Sequence, residues 1–539
     1  MEFNIYAFLV VILALACITV VLNKKLIYFI DRKEPEVYGA ILNTEELEKH
    51  ALDIAKKHIT GKKSRVYYSL EGRMNKNFKL ITSVYKSSNE NMNRAKRVAP
   101  AVEWLLDNFY IIEEQVKEIR QNLSRQYYYR LPSLKSGILK GYPRVYAIAL
   151  ELVSHTDGRF DDKLLISFVS AYQKHSILSS GELWAIPMMV RMALIEHIRH
   201  ICEEIMESQQ QWDKAEKLAD ILLSQKGRKP EELLAITKEY NKQLDRITPS
   251  FGEHLLNRLM KHGLEIAPII KYFDEKLSEQ HTTSESITKL EHKEQAARQV
   301  SMGNAITSLR LLSTLDWKEI FEELSQIEQI LRRDPGGIYG SMDFSSRDFY
   351  RHEVEKISKK YKISEIKVAR KLIECAEEME KHLGYFLFRD ESSILISKLG
   401  YEKKNSFSKS FIYIASIILI TAAIDIVLLY YLYNSGIESM YLLILLAVAL
   451  LVPSSDIAVN MVNLSVVHIK SPAFLPKLEI KDGIPDYART VIVMPVLLTD
   501  EQRTETLLGY LEEYYLANRE RNLYFVLLGD FKDSKEEKL

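Results

Sequence analysis

The sequence predicts a mainly α-helical membrane protein whose last residues open an incomplete α/β unit. Three observations carry this. Apolar residues recur at helical spacing through most of residues 23–410. Two long apolar runs then follow one another across a short polar loop, at 411–433 and from 440 to about 466. A strand, a helix and a strand close the chain: VIVMPVL (491–497), residues 500–516 and LYFVLLGD (523–530).

The 539 residues allow two to four domains, and 47% apolar residues suffice for a substantial core. Lys plus Arg equal Asp plus Glu at 73 each, so net charge gives no argument for nucleic acid as a partner. Cys17, Cys202 and Cys375 are too far apart for a disulfide framework or a metal-ligand spacing, which fits a reduced compartment.

Residues 5–22 form an uncharged apolar run followed by Lys24, Lys25, Arg32 and Lys33. That is the shortest length expected to span a bilayer. Ala14-Leu15-Ala16-Cys17 faintly resembles a lipoprotein cleavage site, but no Lys or Arg precedes the run, so an uncleaved anchor is expected. Basic residues mark the cytoplasmic ends of spans. Lys24 and Lys25 follow the first, Lys403, Lys404 and Lys409 precede the second, and Lys470, Lys477 and Lys481 follow the third. The loop between the second and third spans has no Lys or Arg. The expected organisation is an anchor at 5–22 with the N-terminus outside and a cytoplasmic helical region at 23–410. Transmembrane helices at 411–433 and 440–466, a Lys- and Pro-rich linker at 470–489 and a cytoplasmic α/β opening at 490–539 complete it. Asp425 lies mid-span, where it either pairs with the neighbouring helix or faces a polar path. Pro453-Ser454-Ser455-Asp456 is expected to kink the third span.

In the helical region, Leu47, Ala51, Ile54 and Ala55 share one face behind a capping box of Asn43 and Glu46. Residues 66–88 are β-branched in places and suggest a short hairpin. Val102, Leu105, Leu106, Phe109, Ile112 and Val116 form a stripe on a helix opened by Pro100. Further helices are expected at 142–154, 163–178, 181–206, 211–225, 230–247, 251–278, 286–312, 316–332, 346–361 and 364–384. Several clusters carry chemically active side chains. His155, Asp157, Asp161 and Asp162 suit a metal, or a loop with an Asp N-cap. Glu196, His197, His200, Cys202 and Glu203 suit a metal, or an ordinary polar helix face. Tyr127, Tyr128, Tyr129 and Arg130 could stack on a sugar or simply pack. Asp334-Pro335-Gly336-Gly337 is a turn. Asp343, Arg347, Asp348, Tyr350 and Arg351 read as an ion-pair network pinning two helices.

Four stretches then resemble the N-terminal part of the bacterial cyclic β-1,2-glucan synthases. They are VEWLLDNFYIIEEQV (102–116) with Arg130-Leu131-Pro132, and GYPRVYAIALELVSHTDGRFD (141–161) with GELWAIPMMVRMALIE (181–196). The third is NAITSLRLLSTLDWKEIFEELSQIEQILRRDPGGIYGSMDFSSRDFYRHEVEKI (304–357). The fourth is LVPSSDIAVNMVNLSV (451–466) running into DGIPDYARTVIVMPVLLT (482–499). The resemblance implies a multi-pass inner-membrane enzyme with a UDP-glucose-dependent glycosyltransferase domain of GT-A type. This chain would hold only its opening, a truncated start at 490–539.

In open parallel sheets, ligands bind beyond the carboxyl ends of the strands, which selects Pro495, Leu497, Thr499 and Asp530. By resemblance Asp530 would hold the uridine; otherwise it is a strand-end turn residue. The carboxylates that chelate Mg²⁺ or Mn²⁺ on the diphosphate in the full enzyme are not expected in this chain, nor is a general base. No cofactor is therefore expected on this chain alone and no catalytic residue is assigned. The expected partners are the lipid bilayer and the rest of the synthase, in the same or a separate polypeptide. The alternative is a non-catalytic membrane scaffold that recruits a partner. Two strands and one helix leave one sheet face bare, so 490–539 is expected to be loosely ordered by itself.

Overall fold

The computed structural model describes residues 28–29, 39–61, 66–67, 70–93, 98–122, 128, 131–224, 230–241, 247–260, 267–388, 392–402, 409–437, 439–469, 474–480, 483–531 and 533. The expected anchor at 5–22 and its flanking Lys24 and Lys25 lie outside them, as do Tyr127, Tyr129 and Arg130. The chain divides into two compact units, Met1–Gln329 and Ile330–Leu539.

The first unit is helical. Helix α1 (Thr44–Lys57) starts at Asn43, whose side chain accepts from the Glu46 amide while Glu46 reaches back to the Asn43 amide. Helix α2 (Leu70–Asn93) occupies the stretch expected to contain a hairpin. Its buried Leu70, Arg73, Met74, Asn77, Ile81, Val84 and Ser88 recur at three- and four-residue spacing, so the helical period overrides the local β-branched residues. Helix α3 (Pro100–Asn122) buries Val102, Leu105, Phe109, Ile112 and Val116 as its stripe requires. Helices α4 (Arg144–His155) and α5 (Asp162–Gln173) follow, the latter capped by the Asp161 side chain at the Leu164 amide.

Helix α6 (Ser180–Ser224) runs 45 residues without a break, where two helices were expected. The polar stretch near 207–211 contains no Gly or Pro, and Ile205, Ser208, Trp212 and Ala215 keep the buried stripe in phase across it. Helices α7 (Pro230–Asn241), α8 (Pro249–Met260), α9 (Ala267–Glu279), α10 (Ser284–Leu312) and α11 (Trp317–Leu324) complete most of the unit. Ser325 turns extended after α11, dividing the single helix expected at 316–332, and α12 (Gln326–Leu331) follows. The N-terminal half of α6 lies in a core with α1–α5, α10 and α11. Its C-terminal part, from Ala215 to Leu222, joins a second core with Leu233, Phe251, Leu255, Phe273 and Leu277. Two-residue strands β1 (Tyr28–Phe29), β2 (Thr60–Gly61), β3 (Val66–Tyr67) and β4 (Ser133–Leu134) pair as β1–β3, parallel, and β2–β4, antiparallel.

In the second unit, α13 (Phe344–Tyr361) is capped by Asp343 and α14 (Glu365–Met379) by Ser364, each accepting the amide three residues on. Short helices α15 (Leu383–Phe388) and α16 (Ser392–Lys398) pack beside them. Helices α17 (Lys409–Asn434) and α18 (Met440–Ile469) contain spans of 25 and 29 residues long and apolar enough to cross a membrane. Helix α18 includes Pro453. Across this hairpin the Ser454 hydroxyl donates to Asp425, and the Tyr413 hydroxyl donates to Asn463 at 2.9 Å. Asp425 is thus buried and paired between the helices, with Thr421, Ala458 and Val462 buried alongside. Beyond α18, residues 477–479 pair antiparallel with 341–343: the Asp343 amide donates to the Lys477 carbonyl at 3.0 Å and the Glu479 amide to Ser341 at 2.8 Å. Strand β5 (Thr490–Leu498), helix α19 (Glu501–Ala517) and strand β6 (Leu523–Phe531) end the described chain, with the two strands parallel in continuous register.

Candidate functional site

The helical unit encloses a cavity of about 700 Å³ walled by α4, α6, α8 and α10. Its lining is mixed: Asp157, His197, Glu204, Glu294, Arg298 and Ser301 face it beside apolar residues such as Leu150, Val153 and Ile201. The turn after α4 delivers Asp157 in a left-handed conformation (φ 52°), followed by Gly158 at φ 70°. Glycine is required at 158 twice over, because a Cβ there would also lie 2.9 Å from the His197 ring. His197 Nε2 lies 3.6 Å from Asp157 Oδ1, and the Ser301 hydroxyl donates to the same oxygen. Burial pushes the Asp157 carboxyl up, but the nearby His197 ring and the hydrogen bond from Ser301 outweigh it and hold it below the usual range. Glu204 goes the other way, raised by burial and by Glu294 and Glu207 nearby. With several carboxylates facing Arg298, this lining suits a polyhydroxyl or cationic ligand better than an anion.

Glu196, which also lines the cavity, is 2% exposed and fully engaged. Arg73 Nε donates to Oε2 at 2.7 Å, Arg73 also holds Oε1, and the Tyr146 hydroxyl donates at 2.7 Å. Burial would raise this carboxyl, yet Arg73 and Tyr146 hold it low. The group at 196–203, which suits a metal or an ordinary polar helix face by sequence, is therefore divided. Glu196 pins α6 to α2 and α4, His197 pairs with Asp157, His200 lies beside Glu203, and Cys202 is buried, its thiol pushed up by desolvation. The group at 155–162 is divided too: Asp161 caps α5, and His155 turns to His50 and Glu151. Tyr128 is buried, as packing requires.

In the second unit, Asp334 closes its turn with Oδ2 and reaches the start of α15 with Oδ1. Oδ2 accepts from the Ile338 and Tyr339 amides, and Oδ1 from Leu383. His382 Nδ1 lies 2.8 Å from the same carboxylate, and the Tyr350 hydroxyl lies 2.8 Å from His382 Nε2. Burial raises Asp334, but these donors outweigh it and hold it low, while burial and Asp334 push Tyr350 up to about 12. The polar group at 343–351 is thus only partly an ion-pair network. Arg351 pairs with Asp348, but Asp343 caps its helix and Arg347 donates to the Met342 carbonyl.

The α/β residues selected from sequence lie together. Leu497 sits opposite Asp530 in the parallel register, Pro495 opposite Leu528, and Thr499 just beyond β5. Asp530 is exposed at the carboxyl end of β6. Thr499 does not cap α19. Asp500 does, accepting the Arg503 amide at 2.7 Å, and the Thr499 hydroxyl donates to Asp500 at 3.0 Å. One sheet face is half-buried beneath α19 at Met494, Val496, Leu498, Phe525 and Leu527. The opposite face, Val491, Val493, Leu497, Tyr524, Val526 and Leu528, is 43–60% exposed.

With this geometry in place, the chain can be compared with known proteins. It is 31% identical over 490 residues to the cyclic beta-(1,2)-glucan synthase NdvB of Rhizobium meliloti (strain 1021). The chain is related in sequence to that synthase. The match takes in 87% of this chain but 17% of the relative, so the chain spans about a sixth of that protein's length. No family model matches. The match exceeds any one element: 490 residues cannot fit within either unit, so it runs through parts of both.

Proposed function

We propose that this chain is the membrane-anchored N-terminal portion of a cyclic β-1,2-glucan synthase, a UDP-glucose-dependent glucosyltransferase. The single observation that carries this is the 31% identity to such a synthase over 87% of the chain. In this reading α17 and α18 cross the bacterial inner membrane, with the helical unit and the α/β unit both cytoplasmic. That orientation rests on the basic residues flanking the spans, such as Lys477, and on a loop lacking Lys and Arg. The α/β unit is the start of the GT-A-type domain. Pro495, Leu497 and Thr499 border the nucleotide, and the Asp530 carboxylate accepts from the uridine. Mg²⁺ or Mn²⁺ on the diphosphate is held by carboxylates in the remainder of the synthase, which also supplies the catalytic groups.

The test is calorimetric titration of UDP-glucose into the detergent-purified chain with Mg²⁺ or Mn²⁺, beside Asp530→Ala. A hydrogen bond to a charged group contributes about 1.5–3 kcal/mol, so the variant should bind roughly 10–100-fold more weakly. Equal affinity in the two proteins would remove Asp530 from the site. An absence of binding in both would favour a scaffold role.

A further inference from the structure

We propose that His50, Glu151 and His155 form a binding site for a zinc-class divalent cation in the helical unit, separate from any metal on the nucleotide-sugar. Glu151 and His155 are four residues apart on α4 and share one face, while His50 arrives from α1. One ligand atom from each lies within 4.8 Å of the other two. His50 Nε2 is 2.9 Å and His155 Nε2 is 3.5 Å from Glu151 Oε2. Tetrahedral zinc with bonds of about 2.1 Å requires ligand atoms roughly 3.4 Å apart. The observed separations bracket that value, so small side-chain rotations admit the ion.

The proton arrangement supplies the second argument. His155 Nδ1 lies 2.7 Å from the Ala40 carbonyl, which can only accept, so Nδ1 carries a hydrogen. In neutral His155 the Nε2 lone pair is then directed at the Glu151 carboxylate. A cation between these two acceptors, either a metal ion or a proton on Nε2, satisfies both, and the metal is the case proposed. The carbonyl partner is also the outer contact that metal-bound imidazoles use to fix their tautomer. The backbone locks the ring further. The Leu42 amide donates to the His155 carbonyl at 3.0 Å, and Gly39 lies so close that a Cβ there would meet the ring at 2.0 Å. The three side chains are 12–26% exposed, which leaves an approach for the ion and a fourth position for water. Two nitrogens and one carboxylate oxygen with an open position match zinc chemistry rather than the all-oxygen shell of Mg²⁺. A bound ion would fasten α1 to α4 across about 100 residues of sequence.

The experiment is titration of Zn²⁺ into the metal-stripped full chain in detergent at pH 7.5, with Mg²⁺ as the comparison ion and thermal melting as a second readout. One equivalent should bind, Mg²⁺ should not displace it, and melting should rise. Glu151→Gln keeps the size of the side chain and the fold but should weaken binding by more than the roughly 10–100-fold that loss of an outer contact costs. The triple variant His50→Ala, Glu151→Gln, His155→Ala should abolish both binding and the melting shift, with unchanged helical circular dichroism in the absence of metal. Absence of Zn²⁺ binding to the parent chain, or binding that survives the triple variant, would overturn the proposal. Both outcomes are independent of UDP-glucose.

Discussion

The helical unit and the α/β unit solve the same problem in opposite ways. Both are rich in apolar residues, and both are built from regular elements. In the helical unit each apolar stripe meets another, and even charged groups such as Arg73 and Glu196 are buried and matched. In the α/β unit one helix covers one sheet face, and the apolar face opposite it remains open to solvent. A helix completes its hydrogen bonds alone and needs one neighbour for its stripe. A parallel sheet needs a layer on each side and further strands at its edges. The contrast therefore predicts that substitutions of comparable chemistry will differ in cost between the two units.

The largest effect should come from parting Arg73 and Glu196. Arg73→Leu leaves a buried carboxylate uncompensated, and about 3–5 kcal/mol should be lost. All four tryptophans, Trp104, Trp184, Trp212 and Trp317, lie in the helical unit, so tryptophan fluorescence during urea unfolding reports on that unit alone. A midpoint close to the parent's would show that the pair is not integral to the core.

Next comes Asp334→Asn, which removes the charge that His382 and three amides converge on. It should destabilise the second unit by about 2–3 kcal/mol, read by hydrogen exchange over residues 334–388, with tryptophan unfolding unchanged. The pH dependence has a defined sign. The folded carboxyl lies below its ordinary value, so its stabilising contribution is present above about pH 4 and is lost as pH falls through the folded value. The variant should lose that acid-side slope.

Removing the α13 cap with Asp343→Ala should cost about 1 kcal/mol, seen as faster exchange confined to the first turn of α13. The smallest effect is expected on the bare sheet face. Leu528→Lys should alter stability by less than about 0.5 kcal/mol while improving solubility. A large loss there would mean that this face is covered in solution, and the contrast between the units would fall.

Legibility followed the range of the interactions. Caps and stripes are local, so α1, α3 and α5 could be read from Asn43, Pro100 and Asp161 within a few residues, whereas Asp343, which caps α13, reads in sequence as part of an ion-pair network. The parallel β5–β6 pair was legible because its strands lie on either side of one helix. Helix α2 was misread because Val66, Tyr67 and Tyr68 outweighed a period that emerges only over the following 24 residues. The α6 break was misplaced because polarity at 207–211 is not itself a breaker. The groupings of His50 with Glu151, Asp157 with His197 and Asp334 with His382 join positions 40 to 101 residues apart. Sequence offered the right residue types for these, but not their partners.

In the proposed function, the carboxyl ends of β5 and β6 receive a nucleotide-sugar. Hydrogen–deuterium exchange of the full detergent-solubilised chain, with and without UDP-glucose and Mn²⁺, tests it most directly. The account predicts slowed exchange at residues 496–500 and 528–531, with the helical unit unchanged. Protection confined to the cavity beside Asp157 and His197, or none anywhere, would contradict it.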